Sequence, residues 1–557
     1  MVDVLVVGSG ASGVNAAAPL VAAGLRVLML DYGNQDRGYA PLIPPDSFSE
    51  IRRSDEEQHR YFLGDDFEGI PLGPARVGSQ LTPPRSYITA DAARLMPITS
   101  NTFFAMESLA RGGLASGWGA GVFPFDEEDL REMPISRADL EPHYEAVAER
   151  IGVAGERDDL LPFLGDCAAM LPALEIDTNA ETVVGRYLRR RRQLNALGFY
   201  LGRARLAVCT RRHQERGPHR YHDMDFWADS DRSVYRPRWT LEELQRSPSF
   251  RYLDRRYVHG FAEPEAGGVE VTARHADSGA EEVHRAHSLV LAAGTLGSAR
   301  IVLRSLGRYG TRVPILCNPY SYAPVVNLEM IGREARDRRH SLAQLTAIYR
   351  PHGRERGIVQ TQFYSYRSLL TFKLLKEVPL PYREGLRVMR LLMPLLGILG
   401  INHEDRVSPA KYCTLRRSAG DEPDQLEIHY EPSEEEKARQ VADEKEVLRH
   451  FRRLGCWPIR LIRLPPGSSI HYAGTLPMRS GGAELTCDAE GRLAGTGAVY
   501  VADGSLFPYL PAKGLTFTMM ACADRIGTRL AKRLTASSPV LSTPGIRQEQ
   551  RGTRGPA

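Results

Sequence analysis

From His471 to Ile526 the chain reads HYAGTLPM and then, after a short loop, GRLAGTGAVYVADGSLFPYLPAKGLTFTMMACADRI. One histidine stands in a loop of small residues. An apolar strand over 498–502 runs into Asp503 and Gly504, at the strand end where ligand contacts gather in α/β sheets. A helix is expected just after Gly514, with Leu515, Met519, Cys522, Ile526 and Leu530 spaced to bury one face. Those five are core residues. The chemical part of that helix is its start, near Leu515 and Thr516, where the partial positive charge stabilises negative charge on a ligand. His471 has an ordinary pKa near 6.5 and can accept a proton near neutrality. Together these features suit a flavin ring with a proton acceptor beside it.

The N-terminus adds a strand–helix–strand unit. VDVLVV (2–7) and RVLMLD (26–31) read as buried parallel strands around a small-residue helix, Ser12 to Ala23. The connecting turn is Gly8-Ser9-Gly10-Ala11-Ser12-Gly13. Gly8 permits the tight turn, Gly10 lets backbone approach a pyrophosphate, and Gly13 lets helix and strand pack closely. The helix start then offers free N–H groups to phosphate. Asp31 ends the second strand, where a carboxylate accepts ribose hydroxyls and repels a 2′-phosphate. This argues for a dinucleotide site without separating NAD from FAD. LVLAAGT (289–295) is a second strand-to-helix junction through Ala293 and Gly294. The loop Arg111 to Gly121, RGGLASGWGAG, has five glycines and Trp118. It fits close backbone approach to a flat ligand, with Gly112, Gly113 and Ser116 beside it.

Composition narrows the class. The chain has 557 residues, enough for two or more domains, and a net charge of +4, too small to imply a nucleic-acid partner. Seven cysteines without a CxxC pair give neither a disulfide framework nor a zinc site, and no metal is expected. A reducing, cytoplasmic location is expected, since the first strand begins at Val2 and leaves no room for a leader. Arg189 to Arg192 read as a solvated helix face, or else as a site for an anionic group. The apolar run Val388 to Ile401, broken by Arg390 and Pro394, reads as a buried or pocket-lining helix. The wider 385–402 segment is the candidate for peripheral membrane or hydrophobic-substrate contact. Residues 128–152 and 433–454 read as helices, and 340–365 and 409–431 as antiparallel strands. The tail, 536–557, has a disorder-prone composition.

Taken together, VGSGASG with Asp31, RGGLASGWGAG, VLAAGTLGSAR, SIHYAGTLPM and the C-terminal block resemble the glucose–methanol–choline (GMC) flavoprotein oxidoreductases. MPISRADLEPHYEAVAERIGVAG (Met133 to Gly155) is similar to the branch with gluconate and fructose dehydrogenases and pyranose oxidase. The resemblance implies an α/β fold: a discontinuous Rossmann-type FAD-binding domain (1–125, 200–310 and 465–535) and an α+β substrate domain with an antiparallel sheet (126–199 and 311–464). It implies that hydride leaves an alcohol carbon for flavin N5 while His471 takes the hydroxyl proton. It puts Asp503 by the ribitol or pyrophosphate, the Thr516 N–H at flavin O2, and the Val258 backbone at adenine. Two departures matter. The family's second His or Asn falls on Gly514, so Lys513, Tyr509 or Tyr472 would have to supply that group. Gly117 falls where some relatives carry the histidine bonded to FAD, so non-covalent FAD is expected.

The implied function is FAD-dependent oxidation of an alcohol on a sugar, glycoside or bulky metabolite, with an unknown electron acceptor. Gly514 keeps open non-redox, lyase-type catalysis on the same scaffold, and a flavin-binding partner subunit with little activity is a third reading.

Overall fold

The computed structural model describes residues 1–69, 81–228, 230–333, 340–365, 379–420 and 422–537. All of the expected disordered tail except residues 536 and 537 lies outside them. Those two end the last helix, Thr516–Ser537.

Val2–Val7 sits between Val27–Leu30 and the end of Glu281–Leu291, parallel to both. Phe250–Leu253 extends the sheet beyond Val27–Leu30, and Val499–Val501 extends it beyond Leu289–Leu291. Numbered along the chain, these five parallel strands lie in the order 3-2-1-4-5. The central ones, Val2–Val7, Val27–Leu30 and the Leu289–Leu291 end of the fourth, are near-continuous Val, Leu and Met runs because helices cover both faces of such a sheet. The first half of Glu281–Leu291 turns antiparallel to Val269–His275, which pairs with Arg256–Ala262. Helix Ala11–Ala22 follows the first strand and packs along Thr516–Ser537. The crossing is so close that a Cβ on Gly527 would collide with Ala16 O.

A second, antiparallel sheet runs Cys456–Pro458, Tyr320–Asn327, Leu396–Asn402, Val359–Ser365, Leu345–Tyr349, Phe199–Arg203. Ala323, Val325, Phe363 and Leu399 bury one face against Val183 and Tyr187 of helix Thr178–Ala196 and Val447 and Phe451 of helix Glu434–Arg453. Glu434–Arg453 starts at a Ser433–Glu436 capping box, with three glutamates in its first turn and His450, Arg452 and Arg453 in its last. Arg189 to Arg192 lie on the solvated face of Thr178–Ala196, and Arg191 pairs with Asp159.

Three expectations change. Phe199–Arg203 pairs with Leu345–Tyr349, so the second sheet takes residues that the sequence division gives to the first. The helix expected over 128–152 is Arg137–Ile151, because the Ser136–Asp139 capping box sets its start. The apolar run 388–401 is not one helix. A helix spans Tyr382–Leu392, Pro394 lies in the turn that follows, and Leu396–Asn402 is a central strand of the second sheet. A short apolar run has no periodicity that separates a buried strand from a helix. No described helix is long and apolar enough to cross a membrane.

Candidate functional site

One elongated cleft opens along the C-terminal ends of the parallel strands, and the Gly8–Gly13 turn forms one wall. Gly8 has φ +95°, and a Cβ there would lie 2.6 Å from Ala292 O. A Cβ on Gly13 would collide with Gly8 O. The protein's own packing requires both. Gly10 is different. Its φ is −65°, open to any residue, and a Cβ would meet nothing nearer than Gly112 O and the Gly113 Cα at 4.0 Å. Nothing in the protein demands glycine there, whereas a ligand lying against this backbone would. Gly10 caps helix Ala11–Ala22 without a side-chain acceptor, and the buried Ser12 Oγ beside it has no hydrogen-bond partner among the described residues. This is an anion cradle: a helix start with its donors free.

Asp31 lies at the same end. Its Oδ2 accepts from Ser9 Oγ and from Tyr252 Oη at 3.0 Å. Burial raises its pKa to about 6 despite both donated bonds. Ser9 Oγ also accepts from Gly112 N at 2.9 Å, which ties the second glycine loop to the first. The cleft continues past Gly113, Trp118, Val258, Ala293 and Gly294. Trp118 is fixed by its Nε1 donating to Tyr235 O at 2.8 Å.

At the far end stand His471, Asp503, Leu515, Thr516 and Met519. Asp503 is buried and accepts from Ser298 Oγ, Ser505 Oγ and Ser505 N. It therefore ties the first turn of helix Thr295–Ser305 to the short turn Gly504–Leu506 that it caps, while lining the cleft. Ile470, just before the histidine, has φ +61°, a strained value for a β-branched residue. The His471 ring has one hydrogen-bond partner among the described residues, Asn318 Oδ1, 3.1 Å from Nδ1. Asn318 cannot reverse its amide without loss, because its Nδ2 donates to His403 O at 2.7 Å and Pro511 O at 2.8 Å. Its oxygen must then accept from Nδ1–H, so the Nε2 lone pair of neutral His471 is free. Burial lowers the pKa of His471 to about 4, which keeps the ring neutral at pH 7.

Gly514 packs directly on this ring. A Cβ there would lie 3.5 Å from His471 Cε1, 3.7 Å from Nε2 and 3.4 Å from Phe123 Cδ2. The sequence candidates for a second proton-handling group are otherwise engaged. Lys513 is fully buried and lies outside the cleft lining. Its Nζ donates to Asp126 at 2.8 Å, Asp129 at 2.6 Å and Phe163 O at 2.8 Å, which uses all three protons. Burial opposes its charge, but the two carboxylates hold its pKa above the ordinary lysine value. The expectation of a base, or of a hand on the substrate, is corrected: Lys513 is the cation of a buried ion cluster. Tyr472 Oη donates to Gly467 O and accepts from Met106 N. Tyr509 Oη donates to Glu404.

Of the remaining predicted residues, Gly13, Gly112, Ser116 and Gly504 lie behind the cleft wall. Ser116 Oγ closes its own loop on Arg111 O at 2.9 Å, and a Cβ on Gly504 would meet Tyr472 O at 2.6 Å. Sequence reasoning missed Asn318, Tyr252 and Ser9. The serine stood inside the glycine turn and could have been found there. The other two gave no local signal.

Residues 413–523 match the family model described as GMC oxidoreductase, its C-terminal part. No curated protein matches the chain in sequence. Among solved structures, pyridoxine 4-oxidase from Mesorbium loti is similar with a TM-score of 0.58 and 14% identity, over 95% of this chain and 99% of that one. Formate oxidase from Aspergillus oryzae RIB40, solved as an arginine-substituted variant to study FAD modification, is similar with a TM-score of 0.58 and 12% identity, over 96% of this chain and 98% of that one. The mixed α/β architecture is therefore shared along nearly the whole chain.

Proposed function

We propose that this chain, whose residues 413–523 carry the GMC oxidoreductase C-terminal domain, is an FAD-dependent oxidoreductase acting on an alcohol CH–OH group. The observation that supports this most is the fixed tautomer of His471, a neutral imidazole with its Nε2 lone pair free at the end of a cleft suited to a dinucleotide. The five parallel strands are read as a Rossmann-type domain. The helix start at Ala11 and Ser12 would hold the pyrophosphate, and Asp31 the ribose hydroxyls. Val258 would meet adenine through its backbone, and the N–H groups near Leu515 and Thr516 would face the flavin's polar edge. FAD, when bound, supplies a hydride acceptor at N5.

His471 Nε2 takes the proton from the substrate hydroxyl. Asn318 holds the ring through Nδ1 and partners the N–H of the imidazolium that forms. Such general-base help is worth about 10²–10⁴-fold. Gly514 adds no second base, so the proton chemistry rests on one residue. Gly117 supports non-covalent FAD, because it offers no side chain to bond. On the face away from its helices the second sheet carries Tyr320, Tyr322, Gln362 and Tyr364, all half-buried. Gln362 Nε2 lies 3.4 Å from where a Gly121 Cβ would be, beside Phe123. A surface of phenols and an amide suits a hydroxylated substrate such as a sugar or glycoside. The seven free cysteines support a reducing compartment.

Anaerobic mixing with candidate alcohols tests the reading. Bleaching of the oxidised-flavin absorbance is expected with a true substrate. Turnover without any bleaching would replace it by lyase-type catalysis on the same scaffold.

A further inference from the structure

Apolar exposure is unevenly spread over this molecule. Seven of the fifteen exposed large apolar side chains among the described residues come from three short stretches: Leu328, Ile331, Leu380, Val388, Leu392, Trp457 and Ile459. Ile331 is 65% exposed, Ile459 60% and Trp457 50%. Scattered single apolar residues need no explanation, but a cluster with this much exposure does.

The three stretches meet at one edge of the second sheet. Cys456–Pro458 is the end strand, with Trp457 opposite Val326 and Ile459 N donating to Pro324 O at 2.8 Å. Leu328 N donates to Gly455 O at 3.1 Å. The turn Leu328–Met330 packs on the turn Met393–Leu395 that ends helix Tyr382–Leu392. Asn179 locks this arrangement. Its Nδ2 donates to Leu396 O at 3.0 Å and Pro394 O at 3.2 Å, and its Oδ1 accepts from Asn327 Nδ2 at 2.7 Å.

The charge around this edge is mainly positive, although Arg333 lies near Glu329 and Arg463 pairs with Glu444. Segments 324–333, 379–395 and 455–463 hold six arginines and two glutamates. Arg333, Arg383, Arg387 and Arg460 are exposed. One of the two glutamates, Glu329, is already paired with Arg186. Apolar side chains with a tryptophan, rimmed by arginines, are what an interfacial anchor presents to an anionic bilayer. A second copy of the chain fits poorly, since a two-fold contact would set arginines against arginines.

We propose that this edge is a docking surface for an anionic lipid bilayer, with Trp457, Ile459 and Ile331 entering the headgroup layer and Arg383, Arg387 and Arg460 meeting the phosphates. The contact is peripheral and places the second sheet, not the nucleotide-binding end, against the membrane.

Co-sedimentation of the full-length holoprotein with phosphatidylcholine vesicles, plain or containing about one-third phosphatidylserine, tests this. Binding is expected to the anionic vesicles only and to weaken at high salt. Arg383→Gln with Arg387→Gln should weaken it about 30-fold, at about fivefold per cation. Trp457→Ser with Ile459→Ser should weaken it too. Flavin content and the thermal transition should be unchanged, and because both arginines are exposed their variant remains a fair test if the Trp457 variant folds poorly. Equal binding to both vesicle types, no binding to either, or arginine variants that bind like the parent would overturn the proposal. So would a concentration-dependent dimer in sedimentation velocity that the same substitutions abolish, which would make the edge a self-interface.

Discussion

At its Asp31 end the cleft presents backbone: the Gly8–Gly13 turn, the start of helix Ala11–Ala22 and the loop around Gly113. At its His471 end it presents a side chain, and that side chain depends on residues far away in sequence. The turn and helix start of the first end are built from consecutive residues, and its Asp31 carboxylate draws on a distant partner, Tyr252. The second needs Asn318, His403 and Pro511 together to fix one imidazole. Local backbone makes a binding site robust. A site of reaction assembled from several segments is specific but easily disturbed.

Substitution at His471 is the strongest way to separate the two ends. His471→Ala should lower kcat by about 10²–10⁴-fold while the purified protein keeps its flavin absorbance. If flavin is lost in parallel, the ends are not independent. Lys513→Met attacks the frame behind the His471 end. It leaves Asp126 and Asp129 without their shared cation and should cost about 3–5 kcal/mol in denaturant unfolding.

Acid should also act unevenly. Burial lowers the pKa of His471, His340 and His450 to about 4, and of His403 to about 3. A histidine buried neutral contributes its stability in full above the unfolded value near 6.5. That contribution is lost as the pH falls toward 4, because only the unfolded chain takes up the proton. The unfolding midpoint should therefore drop over this window. The acid limb of kcat/KM should lie near 4 rather than 6.5. Asn318→Asp sharpens the point: a carboxylate on Nδ1 favours imidazolium and should move that limb upward.

The smallest effect belongs to the backbone end. Gly10→Ala should leave the melting temperature of the flavin-free protein nearly unchanged, since φ and space both permit it. It should still weaken flavin binding, as an equilibrium titration would show. Gly13→Ala, whose Cβ collides with Gly8 O, should destabilise the fold itself.

The same contrast explains what the sequence revealed. The glycine turn, Asp31, the strand into Asp503 and the last helix are local patterns, and all were legible. Asn318 was not, because its role comes from a fold that brings residues 318, 403, 471 and 511 together. Lys513 misled because adjacency to Gly514 in sequence suggested adjacency in chemistry, while its side chain turns to Asp126 and Asp129. The 388–401 run misled because Leu, Ile and Gly fit a central strand as well as a helix, and only pairing with Tyr320–Asn327 and Val359–Ser365 decides.

The contact between the first and last helices has a consequence for biosynthesis. The Gly8–Gly13 turn is made long before Thr516–Ser537, about 500 residues further along the chain. At ~5–20 residues per second the gap is roughly half a minute to two minutes. Through that interval the nascent N-terminal unit must wait with the face around Ala16 uncovered. The cleft is complete only once Thr516–Ser537 has been made, so a product truncated before it would keep an uncovered, sticky N-terminal face.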